Sequence, residues 1–162
     1  MIRTINDFLD RWRDEKAATL KVFSYLTDAS LQEGIPGGRT LGRLANHITE
    51  TLSELPAQAG LPIIVNNTQY STVKDLVAAY EDGADLVAEA VSSTWHDGLL
   101  EDETPMYGQS WKNGFVLWAL ITHQAHHRGQ MTALMRFAGL KVPGVYGPSK
   151  EEWKEYNMAP MA

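Results

Sequence analysis

Residues 122–130 read Thr-His-Gln-Ala-His-His-Arg-Gly-Gln, which places three of the chain's five histidines within five residues. The string constrains the fold because it lies inside a long segment of helical period. Residues four apart on an α-helix share a face, so His123 and His127 turn two imidazoles toward one point, an arrangement that suits a single metal ion. With His123 at the origin of a helical wheel, Val116, Ala119, Leu120, Leu134, Phe137 and Ala138 fall within about 60° of it, together with His127 and Gln130. The polar trio thus sits inside an apolar stripe. An imidazole or amide buried there costs about 1–3 kcal/mol if left unpaired, so each needs a metal, a water or a hydrogen-bonding partner. His126 lies about 60° to the other side and competes as the i+3 partner of His123; His127 is preferred because the i,i+4 pair is centred on the stripe.

Two histidines do not fill a metal's coordination sphere, and His47, in Leu44-Ala45-Asn46-His47-Ile48-Thr49-Glu50, is the candidate third ligand. The plain alternative is that these are core histidines satisfied by hydrogen bonds. Gln124 stands where an H-E-x-x-H zinc-protease helix carries its glutamate, which excludes that helix-borne general base. A di-iron carboxylate bundle needs Glu-x-x-His on two helices, and Leu44 and Leu120 occupy the positions three before His47 and His123. His47 lies about 100° from the centre of its own helix's apolar stripe, on a flank with Arg43, Glu50, Thr51 and Glu54. Glu50 and Glu54 are the candidate catalytic carboxylates. Either could take a proton from an imidazole, fix a water or serve as a ligand; the alternative is an ordinary solvated face.

Hydrophobic spacing predicts four helices. The first spans about residues 4–27 through Ile5, Phe8, Leu9, Trp12, Leu20, Phe23 and Leu26, and Gly34-Ile35-Pro36-Gly37-Gly38 then breaks the pattern. The second starts near Thr40 and ends about Pro56. After an irregular stretch over 61–72, Thr72 reads as the cap of a third helix reaching Trp95, with Gly83 inside it as a site of close packing or a kink. His96, after that helix, reads as a structural or surface residue. Residues 97–112 read as a loop or short hairpin bordering the site. The fourth helix runs from about Asn113 to Phe137, with Gly139 just past its end. Its second flank, Trp118, Ile121, Ala125, Gly129 and Thr132, is also apolar or small, which suggests a dimer contact. A proline- and glycine-rich tail leads to a short last helix with Trp153 as its anchor.

The length of 162 residues fits one domain, 1–162. A net charge of -6, with no Lys/Arg cluster, argues against nucleic acid as a partner. The absence of cysteine removes disulfides, thiolate metal sites and a protein-borne thiol nucleophile, so any thiol in the chemistry must arrive with a substrate. A polar start at Met1–Asp7 and the lack of an apolar run of about 18 residues argue against a signal peptide and a membrane span, and make the cytoplasm the expected location.

The single histidine of the second helix with a Glu three residues on, the string His123-Gln124-Ala125-His126-His127-Arg128-Gly129-Gln130, and the tail Val142-Pro143-Gly144-Val145-Tyr146-Gly147-Pro148 together resemble the DinB family (DinB/YfiT-like metal-dependent enzymes) over nearly the whole chain. The resemblance implies an all-α, up-up-down-down-like four-helix bundle, here with a short extra C-terminal helix, that forms homodimers. It also implies a divalent metal, zinc or nickel, held by His47, His123 and His127, with His126 outside the ligand set and Arg128 and Gln130 as structural or pocket residues. Three imidazoles with a remaining coordination position describe a catalytic site. The expected function is therefore a metal-dependent transferase or hydrolase acting on a small molecule, with a low-molecular-weight thiol as candidate cosubstrate. The alternative is a non-catalytic metal- or small-ligand-binding stress-response bundle.

Overall fold

A computed structural model describes residues 2–160; the first residue and the last two of the expected domain 1–162 lie outside the described residues. Four helices dominate it: α1 (Ile5–Phe23), α2 (Leu41–Gln58), α3 (Val73–Thr94) and α4 (Asn113–Phe137). Three of them begin at a threonine. Thr4 accepts from the Asp7 amide while Asp7 accepts from the Thr4 amide, a reciprocal capping box, and Thr40 and Thr72 take the amides of Arg43 and Asp75. α1 stops four residues short of the expected end, because Thr27 and Ser30 bond one another in a separate turn. Pro56 does not end α2. The helix runs on to Gln58, and the Leu55 and Pro56 carbonyls at its end are taken by the Ala59 and Leu61 amides at 3.1 and 3.0 Å.

The helices form a square in which α2 and α1 each pack against both α3 and α4. Phe8, Trp12, Phe23, Ile48, Tyr80 and Leu120 fill its centre, and the Trp12 indole N–H donates to the Ala84 carbonyl at 2.8 Å. Gly83 marks close packing in an unbroken helix: a Cβ there would lie 2.9 Å from Leu52 Cδ1 of α2. The 97–112 connection contains an antiparallel hairpin, β1 (Glu103–Met106) and β2 (Gln109–Lys112), turned by Tyr107 and Gly108, both at positive φ.

Two expectations are corrected. The buried face of α4 is not centred on His123 but runs through Leu117, Leu120, Gln124, Arg128, Met131 and Met135, while Phe137 is 82% exposed. The histidine pair therefore borders the core instead of occupying it. The pattern misleads because Gln124 and Arg128, polar by composition, are core residues. At the other end, the short last helix is a single 3-10 turn, Trp153–Tyr156, and Trp153 is half-buried outside the core cluster. Carboxylates anchor the tail: Glu152 accepts from the Gly144 and Ser149 amides and pairs with Lys21, and Glu151 pairs with Arg136. Among the described residues no helix is long and apolar enough to cross a membrane.

Candidate metal centre

α2 packs along α4, which brings His47 beside the two histidines that stand one turn apart on α4. The three rings meet edge to face, with centroids 4.4 Å apart for His123 and His127 and 4.6 and 4.9 Å from each of these to His47, His127 being the nearer. One nitrogen from each lies within 4.8 Å of the others. The Nε2 atoms of His123 and His127 are 3.2 Å apart. For nitrogen ligands about 2.0–2.1 Å from a metal, two vertices of a tetrahedron are about 3.3 Å apart, so the pair is already spaced as neighbouring ligands.

Hydrogen bonds outside the trio decide which nitrogens face inward. Gln130 Oε1 lies 2.7 Å from His127 Nδ1 and can only accept, which puts the ring proton on Nδ1 and leaves the Nε2 lone pair free. The same amide donates from its Nε2 to His126 Nε2 at 3.1 Å, which fixes its orientation. On α2, Glu50 Oε2 stands 3.6 Å from His47 Nδ1, at ion-pair range, so a proton is favoured on that side of His47 too. His123 Nδ1 is buried with no hydrogen-bond partner among the described residues. Burial lowers the pKa of all three rings. His123 is brought to about 4, with the neighbouring His127 and His47 adding repulsion. At neutral pH the three imidazoles are uncharged, the form in which they ligate. Three uncharged imidazoles converging on one point suit a divalent cation.

The remaining sequence candidates separate by location. Glu50 belongs to the centre: burial pushes its carboxyl up, but hydrogen bonds from Arg43 (3.0 Å) and Gln69 outweigh this and hold it below the ordinary value. Glu54 is exposed and accepts from the Tyr107 hydroxyl at 3.2 Å, a contact that ties the hairpin to α2. Gln124, fully buried, points away from the histidines: its amide donates to the Ile48 carbonyl and Thr51 hydroxyl, both at 3.0 Å, and accepts from Tyr80. Arg128 is also buried and faces α1, where its guanidinium pairs with Glu15, donates to Thr19 at 3.0 Å and meets the Tyr146 hydroxyl. His126 is exposed and outside the trio. Arg39, beside the centre in the loop before α2, went unnoticed in the sequence; its only signal is a cation placed directly before the Thr40 cap in a glycine-rich turn.

The DinB family profile matches residues 1–159. The chain belongs to the DinB family. A relative from Bacillus subtilis, the uncharacterized protein YrdA, is 37% identical over 162 residues, covering 98% of this chain and 97% of the relative. A crystal structure of a DinB-like protein from Bacillus cereus is similar at a TM-score of 0.84 and 41% identity, across 90% of this chain and 100% of that one. A second DinB-like structure, YjoA from Bacillus subtilis, shares only the fold: TM-score 0.66 at 14% identity, covering 86% of this chain and 96% of that one. The DinB assignment and the histidine geometry agree on a mostly helical domain with three imidazoles able to hold a metal ion.

Proposed function

We propose that this DinB protein is a divalent-metal-dependent enzyme of a small molecule, holding zinc or nickel at His47, His123 and His127, with thiol transfer ahead of hydrolysis. The observation that carries it is the number and kind of donors: three neutral imidazoles converge and no fourth protein ligand joins them among the described residues, the pattern of a catalytic and not a closed structural site. A bound divalent ion there would supply Lewis acidity, favouring the deprotonated form of a thiol or a water.

Glu50 favours the thiol over the water. Hydrolysis gains from a nearby base poised near neutral pH, whereas Glu50 is held low by Arg43 and Gln69 and is engaged on both oxygens. Its task is to orient His47. A thiol needs no such base once its proton is lost to solvent: the sulfur forms a bond to the electrophilic carbon, and the leaving group departs with the electron pair of the broken bond. Since the chain has no cysteine, that sulfur belongs to a low-molecular-weight cosubstrate, of the kind a reducing cytoplasm contains. The incompletely covered α4 flank, with Trp118 46% exposed, supports a homodimer contact.

Elemental analysis of the purified, untagged protein beside His127→Ala tests the reading. Near-stoichiometric zinc or nickel in the wild type, largely lost in the variant, establishes the centre, and turnover in a screen of thiols and electrophiles establishes an enzyme. Metal without turnover of thiols or esters points to a binding bundle. No metal in either protein, even after incubation with zinc and nickel, overturns the proposal.

A further inference from the structure

Beside the three histidines lies a cavity of about 580 Å³ whose walls include Ile35, Arg39, Leu44, His126, Gln130 and Phe137. It adjoins the metal centre through neighbours of the ligands: Gln130 is hydrogen-bonded to His127, and Leu44 lies about one helical turn before His47. One side is apolar, and Phe137 and Ile35, 82% and 53% exposed, are large hydrophobic groups left facing solvent at its rim. Arg39 supplies the only formal charge among the lining residues. Its guanidinium pairs with no carboxylate among the described residues, although the chain is acidic and most of its other arginines do pair.

Loop geometry holds Arg39 at this place. Gly34 and Thr40 form an antiparallel bridge, the Leu41 amide donates to the Glu33 carbonyl at 2.8 Å, and the Gly38 amide to the Ile35 carbonyl at 2.9 Å. The arm between them presents Ile35 and Arg39 to the same cavity. Gly38 lets Ile35 pack close: a Cβ there would lie 2.6 Å from Ile35 Cγ1, so a larger residue would displace the Ile35 side chain.

From this we infer that the cavity is a substrate subsite for an aliphatic carboxylate, with the carboxylate on Arg39, the hydrocarbon along Ile35, Leu44 and Phe137, and the reacting end toward the three histidines. A single planar guanidinium matches a singly charged carboxylate in charge and geometry. A phosphate monoester would bring nearly two charges to one cation. The inference deepens the proposed function and rests on it for the reacting end of the molecule, whereas the carboxylate subsite belongs to the chain's own residues.

Two measurements separate the claims. In metal-free protein, hexanoate is titrated against hexanol while the Gln130 side-chain amide is followed by NMR. Hexanoate should bind about three- to ten-fold more tightly, and Arg39→Gln should abolish the difference without changing hexanol binding. Ala133→Trp, at an exposed position on the cavity wall, should weaken both. In cobalt(II)-loaded protein, mercaptohexanoate and mercaptohexanol are compared by the sulfur-to-cobalt absorption band. Both should produce it, the carboxylate at lower concentration. Equal binding of the two hexyl compounds, or a preference that survives Arg39→Gln, overturns the carboxylate subsite. A hexanoate preference with no sulfur band from either thiol leaves the subsite standing and counts against the thiol reading of the metal centre. An octyl phosphate that outcompetes octanoate at the same site would also overturn the assignment.

Discussion

Gln130 Oε1 and His127 Nδ1 are 2.7 Å apart, and this contact decides which nitrogen of a candidate metal ligand faces the centre. An amide oxygen has no proton to give, so it holds the imidazole proton outward and turns the ring. Gln130→Ala should therefore lower zinc affinity about 10- to 100-fold in a competition titration, with the fold intact because Gln130 is exposed. Gln130→Glu keeps the acceptor and should retain most of the affinity. Wild-type affinity in the alanine variant would show that His127 needs no such support.

His126 is the sequence's rival for His127, and the structure gives it a different contact, a hydrogen bond from Gln130 at 3.1 Å on an exposed face. His126→Ala should keep full metal stoichiometry, while His47→Ala and His127→Ala should lose most of it. Elemental analysis of the three variants side by side decides the matter. Equal loss in His126→Ala and His127→Ala would mean that the i,i+3 pair takes part.

Much of this was legible in sequence because helical period and threonine caps are local signals. The α3 and α4 boundaries follow from Thr72, the apolar spacing and Gly139, each of which acts within a few residues. The convergence of His47 on the H-x3-H pair was legible only as a candidate, since nothing local in α2 distinguishes a ligand from a surface histidine. What stayed hidden depends on long-range pairing. Gln124 and Arg128 look like surface residues until Thr51, Tyr80 and Glu15, 44 to 113 positions away, are brought against them, and that is why the core face of α4 was misplaced. Glu54 reads like Glu50 on a wheel, and only the folded hairpin shows that Tyr107 occupies it. Trp153 reads as an anchor because a tryptophan in a tail suggests burial, whereas the adjacent carboxylates of Glu151 and Glu152 do the holding.

The Arg128–Glu15 pair joins α4 to α1 inside the core, with side chains 1% and 9% exposed. Removing one member strands a buried charge, so Glu15→Gln or Arg128→Met should cost about 3–5 kcal/mol. In a domain of this size that lowers Tm by roughly 6–20 °C. Glu15→Met with Arg128→Met removes both charges and should recover a substantial part of the loss. Because the Arg128 and Glu15 side chains bond to one another, Thr19 and Tyr146 and to none of the three histidines, metal content per folded molecule should not change. Single variants with wild-type Tm would show that the pair contributes nothing, and loss of metal would show that α1 and the centre are coupled.

Acid should release the C-terminal tail before it unfolds the bundle. Hydrogen bonding from Arg136 holds the Glu151 carboxyl down at about 2, and the amides of Gly144 and Ser149 hold Glu152 below the ordinary glutamate value of 4.5. Both folded pKa values lie below the unfolded one, so the free tail binds protons more readily than the docked tail. Docking is therefore fully supported above about pH 4.5 and is lost as the pH falls from there toward 2. The amide resonances of Gly144 and Ser149, which donate to Glu152 at 3.0 Å, report this directly in an NMR titration. They should move together with a midpoint below 4.5, and in Glu152→Gln they should hold shifted positions already at pH 7. Independent movement of the two amides, or a shared midpoint at the unperturbed 4.5, would show that Glu152 does not clamp the turn that carries Tyr146 to Arg128.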